Sequence, residues 1–205
     1  MRLQALLAAA AIAALFALFA LSTRAGDTAG KKAPVPNTDF VPPQGSETIY
    51  LAGGCFWGME DLLRQIPGVL FTEAGYTGGH LDNPRYDDTH DSKSGHAESV
   101  KVVFDPKKVT LETLLEAHFF KMHDPTTPNR QGNDIGTQYR SAIFFFTPEQ
   151  KAVAEAVKAR VSASGKWKRP ITTEITAATQ WWRAEEYHQA YLQKNPGGYT
   201  CHFYR

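Results

Sequence analysis

Two kinds of apolar pattern alternate along the chain. Residues 48–52, TIYLA, are a short apolar run stopped by Gly53-Gly54, which predicts a strand and a turn. Trp57, Leu62, Leu63 and Ile66 then fall at roughly helical spacing, and Pro67-Gly68 ends that helix. Residues 69–76 read as a second strand. Residues 77–95 are rich in Gly, Asp, Asn and His and read as a long loop, a kind of segment that is often functional in compact domains. A third strand over 99–104 is closed by Asp105-Pro106. Residues 110–122 read as a helix with Thr110 as N-cap, although Thr113 stands where a full capping box needs Glu or Gln. Residues 124–138 are irregular, with Pro125, Pro128, Gly132 and Gly136. A strand is expected over 141–146, and a helix over 148–164 with Thr147 as N-cap and Pro148 in its first turn. A strand over 171–175, a helix over 184–194 and the breaker Asn195-Pro196-Gly197-Gly198 complete the chain. The order β-α-β-β-α-β-α-β-α predicts an α+β fold: a two-layer sandwich with a split βαβ (ferredoxin-like) core, long loops and a flexible C-terminal tail.

The first residues break this pattern. Arg2 precedes an apolar run from Leu6 to Leu21, followed by Ser22-Thr23-Arg24-Ala25. Residues 1–25 therefore read as a signal peptide cut after Ala25, or as a retained membrane anchor, since the run is near the short limit for spanning a bilayer. Either reading exports the rest, to a periplasmic or other extracytoplasmic location. Residues 26–46 hold Pro34, Pro36, Pro42 and Pro43 among polar residues and read as a flexible linker. The folded domain is expected over 47–205. With 22 basic and 21 acidic residues interspersed, the net charge of +1 gives no reason to expect nucleic acid as a partner. Among seven histidines no pair has His-x-x-x-His spacing, and no Cys-x-x-Cys or Gly-rich phosphate loop occurs, so neither metal nor cofactor is expected.

The chain has only two cysteines. Cys55 stands where the first strand should end and a helix begin. There the helix's free N–H groups and dipole favour a thiolate, which is the nucleophilic form. Gly53 and Gly54 allow a tight turn, and Phe56 and Trp57 can wall a small apolar pocket. Cys201 follows the Pro-Gly-Gly breaker near the end of the chain, a place suited to a resolving thiol. A buried free cysteine, or a permanent disulfide between the two, is the plainer alternative in an exported protein. Glu98, just before a strand, can serve as a general acid if apolar surroundings keep it protonated. Tyr86 and Tyr139 can offer hydroxyls. Taken singly, a surface charge and ordinary tyrosine packing describe these three residues more simply.

The stretch Gly54-Cys55-Phe56-Trp57-Gly58-Met59-Glu60 resembles the peptide methionine sulfoxide reductase A family. The resemblance continues through Gly75-Tyr76-Thr77-Gly78-Gly79, Asn83-Pro84-Arg85-Tyr86 and Gly95-His96-Ala97-Glu98. It extends through His123-Asp124-Pro125, residues 130–141 (RQGNDIGTQYRS), Ala184-Glu185-Glu186-Tyr187-His188-Gln189 and Gly198-Tyr199-Thr200-Cys201-His202.

The resemblance implies that Cys55 attacks the sulfur of a methionine-S-sulfoxide while protonated Glu98 donates to its oxygen, helped by Tyr86 and Tyr139. Phe56 and Trp57 would hold the substrate methyl and Asp134 its backbone. The resulting Cys55 sulfenic acid would condense with Cys201, and a thioredoxin-like donor would reduce the disulfide. The substrates implied are oxidised proteins or peptides of the cell envelope, repaired by a monomer that meets the membrane only if its N-terminal segment is retained. Three features depart from the family pattern. Many members carry a further cysteine in a longer tail, so recycling here is expected to rest on Cys201 alone. Trp181-Trp182 stands where a Phe-Tyr pair is expected, and export departs from the family's cytosolic habit. Two rival readings are a cysteine hydrolase with a histidine base and a non-catalytic envelope domain stapled by its cysteines.

Overall fold

The computed structural model describes residues 39–91 and 93–205. The expected signal or anchor over 1–25 lies outside the described residues, as does the expected linker up to residue 38. Of the linker's last residues, Phe40 stacks on Phe71 with ring centroids 4.4 Å apart.

Strand β1 (Glu47–Gly53) alternates in the way its sequence predicts. Ile49 and Leu51 enter the main core, while Tyr50 and Ala52 join a smaller cluster on the other face. Helix α1 (Phe56–Arg64) leads into β2 (Val69–Thr77), and β3 (Ala97–Phe104) lies between β1 and β2, antiparallel to both. β1 and β2 therefore run parallel with a strand between them, which is a split βαβ unit. After the hairpin β4 (Arg130–Gln131) and β5 (Asp134–Ile135), strand β6 (Ser141–Phe145) pairs antiparallel to β1. β7 (Glu174–Ala177) adds in parallel to β6, and β8 (Trp182–Arg183) adds to β2. The main sheet runs β7-β6-β1-β3-β2-β8.

The helical layer covers one face. Met59 and Leu63 of α1 pack there with Leu114, Leu115 and Phe119 and with Ala154 and Val157. Short helix α2 (Tyr86–His90) forms inside the first long loop. The expected 110–122 helix is α-helical over Leu111–Thr113 and Phe120–Met122 and π-helical over Leu114–Phe119; together these are α3. Thr110 caps it by accepting the Thr113 N–H, as Thr147 caps α4 (Pro148–Ala163) by accepting that of Gln150.

Three stretches differ from expectation for long-range reasons, the first being the 171–175 strand, which lies at Glu174–Ala177 where pairing with β6 sets its register. Residues 184–194 are not one helix: a 3-10 turn over Glu186–His188 is separated from α5 (Tyr191–Lys194) by Ala190 in a left-handed conformation, φ 50°. Buried Glu60 holds that conformation by accepting the Ala190 N–H at 2.9 Å, and the Gln189 side chain clips onto both backbone groups of Ala74. The tail, expected to be flexible, has no regular secondary structure but is docked. The His202 Nε2–H donates to the Gly53 carbonyl at 2.8 Å, and the Arg205 N–H donates to the Lys121 carbonyl at 2.8 Å.

Candidate active site

The site is built on the turn between β1 and α1. Gly54 has φ +107°, and a Cβ there would lie 2.6 Å from Gln131 Cβ, so only glycine brings the chain around at this point. Cys55 is the N-cap of α1, yet its side chain caps nothing. The first free N–H of the helix, that of Phe56, donates instead to Glu98 Oε2 at 3.1 Å. Glu98 reaches this point because it is the second residue of β3, opposite Tyr76 of β2.

Burial decides the chemistry here. Glu98 is 1% exposed, and desolvation pushes its carboxyl up to about 8, against the opposing Phe56 hydrogen bond. It is therefore a neutral acid at pH 7, and with Oε2 accepting from Phe56 its proton is available on Oε1. Cys55, 7% exposed, is pushed far up by burial first and, once Glu98 ionises, by that nearby charge second. The Trp57 N–H favours the thiolate, but less strongly. The thiolate expected from the helix start is thus corrected: Cys55 rests as a thiol, because lost hydration outweighs the helix-end N–H groups. Tyr86 and Tyr139 are held protonated by burial, and further by the Glu98 charge once Glu98 ionises, so both remain hydroxyl groups.

The remaining predicted residues converge on the same turn. Tyr86 opens α2, its N–H donating to Glu185 Oε1 at 3.0 Å. Tyr139 lies in a 3-10 turn (Thr137–Tyr139) ahead of β6, with its hydroxyl 3.1 Å from His90 Nε2. Asp134 of β5 accepts from the Tyr199 hydroxyl at 3.0 Å and from the Cys201 thiol at 3.3 Å. Cys201 is half-buried, and burial followed by the Asp134 hydrogen bond pushes its thiol up to about 12. Its sulfur also lies near the Cys55 backbone N–H, so the two thiols, both free, are already neighbours. Cys201 is therefore placed beside Cys55 by the docked tail and does not have to arrive from a distance.

Phe56 is fully buried against Tyr76 and His188, with centroids at 5.8 and 5.0 Å. Trp57 is stacked on Tyr191 at 3.7 Å, and its Nε1–H donates to His188 Nδ1 at 2.9 Å. His188 is pushed down to about 4 by burial and stays neutral, as this acceptor role requires. His188, Tyr191 and Glu185 carry no predicted role in the sequence; the 184–189 block that holds two of them was visible, with Tyr191 just beyond it, but their part in fixing Trp57 and Tyr86 depends on contacts more than 90 residues apart in the chain. Among the described residues no histidine is hydrogen-bonded to Cys55, so the hydrolase reading lacks its base. Trp181 lies over Gly75 on the sheet face with Tyr50, its Nε1–H donating to Glu73 at 2.7 Å, so it does not disturb the Cys55 turn.

A buried thiol at a helix start, a neutral carboxylic acid bonded to that helix, two phenols and a second thiol alongside define a thiol-based oxidoreductase. The family model "Peptide methionine sulfoxide reductase" matches residues 47–205, and the chain belongs to that family. Over 155 residues it is 55% identical to the peptide methionine sulfoxide reductase MsrA of Nocardia farcinica, covering 76% of this chain and 88% of the relative. The structure is similar to methionine sulfoxide reductase A of Corynebacterium diphtheriae, with TM-score 0.70 and 40% identity, covering 82% and 84% of the two chains. It is also similar to reduced Mxr1 of Saccharomyces cerevisiae, with TM-score 0.77 and 35% identity, covering 83% and 98%. Mxr1 in complex with Trx2 matches with TM-score 0.57 and 26% identity, covering 83% and 98%.

Proposed function

We propose that the enzyme reduces methionine-S-sulfoxide, free or within proteins, through a Cys55 sulfenic acid and a Cys55–Cys201 disulfide. The observation that carries this reading is the Glu98 carboxyl, fully buried and accepting the first free N–H of the helix that Cys55 opens, a setting that favours its neutral form. A sulfoxide oxygen is a poor leaving group until it is protonated, and the buried carboxylic acid meets that need. Cys55 sulfur attacks the sulfoxide sulfur as Glu98 gives its proton to the oxygen, with Tyr86 donating a hydrogen bond and Tyr139 a second one when its proton is not held by His90. The attack forms an S–S bond between Cys55 and the substrate; the protonated oxygen then passes to the Cys55 sulfur, so that a Cys55 S–O bond forms as the substrate's S–O bond and the S–S bond break. Methionine leaves with its sulfur reduced, Cys55 becomes sulfenic acid, and the proton lost by the thiol restores Glu98. Attack by Cys201 then forms the disulfide and releases water.

Stereochemistry follows from three fixed directions around a pyramidal sulfur. The methyl lies against Phe56 and Trp57, the oxygen toward Glu98, Tyr86 and Tyr139, and the substrate chain toward Asp134. With the attack direction set by Cys55, only one epimer fits, and family resemblance assigns it as S. A thioredoxin-like protein would supply the electrons, as the Mxr1–Trx2 complex suggests by analogy. The apolar run Leu6–Leu21 supports export and repair of oxidised envelope proteins. Fractionation of cells carrying the full chain tests the location: recovery in the cytosol would refute it. Turnover of a methionine-S-sulfoxide peptide with thioredoxin, its reductase and NADPH tests the recycling, and turnover that survives Cys201→Ser at the same rate would refute the disulfide.

A further inference from the structure

We propose that His90 sets the direction of the Tyr139 hydroxyl, and so decides whether that hydroxyl faces the sulfoxide oxygen as a donor. The inference rests on the sulfoxide reading above and adds a positioning residue to it. His90 Nδ1 lies 2.9 Å from the Tyr86 carbonyl, which can only accept, so Nδ1 carries the proton. In the neutral ring Nε2 is then a lone pair. Tyr139 Oη lies 3.1 Å from it, so the phenol spends its single proton on His90. Protonation of His90 reverses that bond. Nε2–H now donates to the Tyr139 oxygen, and the phenol proton is released toward the site.

The surroundings suit such a device. His90 is exposed, whereas Tyr139 is half-buried and held protonated. The Tyr86 ring lies 4.0 Å from the His90 ring, which fixes its plane. On its own helix His90 shares the field of Asp87 and Asp88, with Asp91 as C-cap. From the segment packed against Tyr86 come His188, which stays neutral, and the Glu185 carboxylate, which accepts the Tyr86 N–H; on the Tyr139 side the acidic groups are Glu98 and Asp134. The device would make the first step depend on whether His90 Nε2 carries a proton.

The test compares first-turnover methionine formation, without reductant, by wild type and His90→Gln at pH 6 and pH 8.5. The wild-type-to-variant ratio should be about three- to tenfold at pH 6, the worth of one hydrogen bond, and close to one at pH 8.5. In a Tyr139→Phe background the pH-dependent ratio should vanish. A ratio that does not change with pH, or one that survives in Tyr139→Phe, would overturn the proposal. A second measurement needs no substrate: the ¹⁵N shifts of His90 in the ligand-free protein should report the Nδ1–H tautomer when neutral. The Nε2–H tautomer would overturn the proposal even if the protein reduced no sulfoxide, and absence of methionine with the Nδ1–H tautomer would fault the sulfoxide reading alone.

Discussion

Glu98 caps the helix that Cys55 opens: its Oε2 accepts the Phe56 N–H at 3.1 Å, one residue beyond the thiol. A single carboxyl thus holds the nucleophile's helix and keeps the proton the reaction needs. Glu98→Gln preserves the capping oxygen and removes the acid. First-turnover methionine formation should fall by about 10²–10⁴-fold, with folding retained by circular dichroism. In the wild type the rate of this step should decline as pH rises past about 8, where Glu98 loses its proton. Stopped-flow tryptophan fluorescence or quenched sampling of methionine reads both effects.

The same carboxyl makes stability depend on pH with a sign opposite to that of most acids. Its value is raised on folding from 4.5 to about 8. The unfolded chain ionises it first, so the stability it contributes is complete below 4.5 and is lost as pH climbs toward 8, at up to about 1.4 kcal/mol per pH unit. Glu98→Gln lacks this loss. The unfolding free energy of the variant minus that of wild type should therefore grow between pH 5 and pH 8 in urea titrations. A difference that stays level would mean the carboxyl is not held neutral.

Much of this was legible in local pattern. Strands β1, β2, β3 and β6 and helices α1 and α4 follow apolar periodicity and capping signals, because their neighbours reinforce their local preferences. The 184–190 segment was not legible, since Glu60 and Gln189 override an apparently helical stretch from far along the chain. The 171–175 strand lies instead at Glu174–Ala177, where its register on β6 is set by pairing. In the site, Cys55, Glu98, Tyr86, Tyr139, Asp134 and Cys201 were named from the chain and are brought together by the fold. The state of the Cys55 thiol was misjudged because burial cannot be read from a helix start alone. His188 and Tyr191 were missed because their roles exist only where Trp57 meets them.

Gly54→Ala should damage the turn itself. A side chain at φ +107° costs about 1–3 kcal/mol, and the contact with Gln131 adds to it. Thermal melts should show the loss, and the surviving folded protein should turn over more slowly as Cys55 shifts against Glu98.

Cys201→Ser separates chemistry from recycling. With Asp134 and the docked tail otherwise intact, the variant should still release one methionine per enzyme and then stop with Cys55 as sulfenic acid, trapped by dimedone and weighed by mass spectrometry. Turnover with a thioredoxin donor should largely cease, since that donor attacks a disulfide. Small dithiols should restore part of it. Failure to release the first methionine would place Cys201 in the sulfoxide step itself.

The most direct test counts methionine released from each sulfoxide epimer by the reduced enzyme with no reductant present. Two cysteines hold two electrons, enough to reduce one sulfoxide. Wild type should release about one methionine per enzyme from the S epimer and essentially none from the R epimer, ending with a Cys55–Cys201 disulfide, and Cys55→Ser should release none. Equal yields from the two epimers, or methionine from Cys55→Ser, would contradict the account.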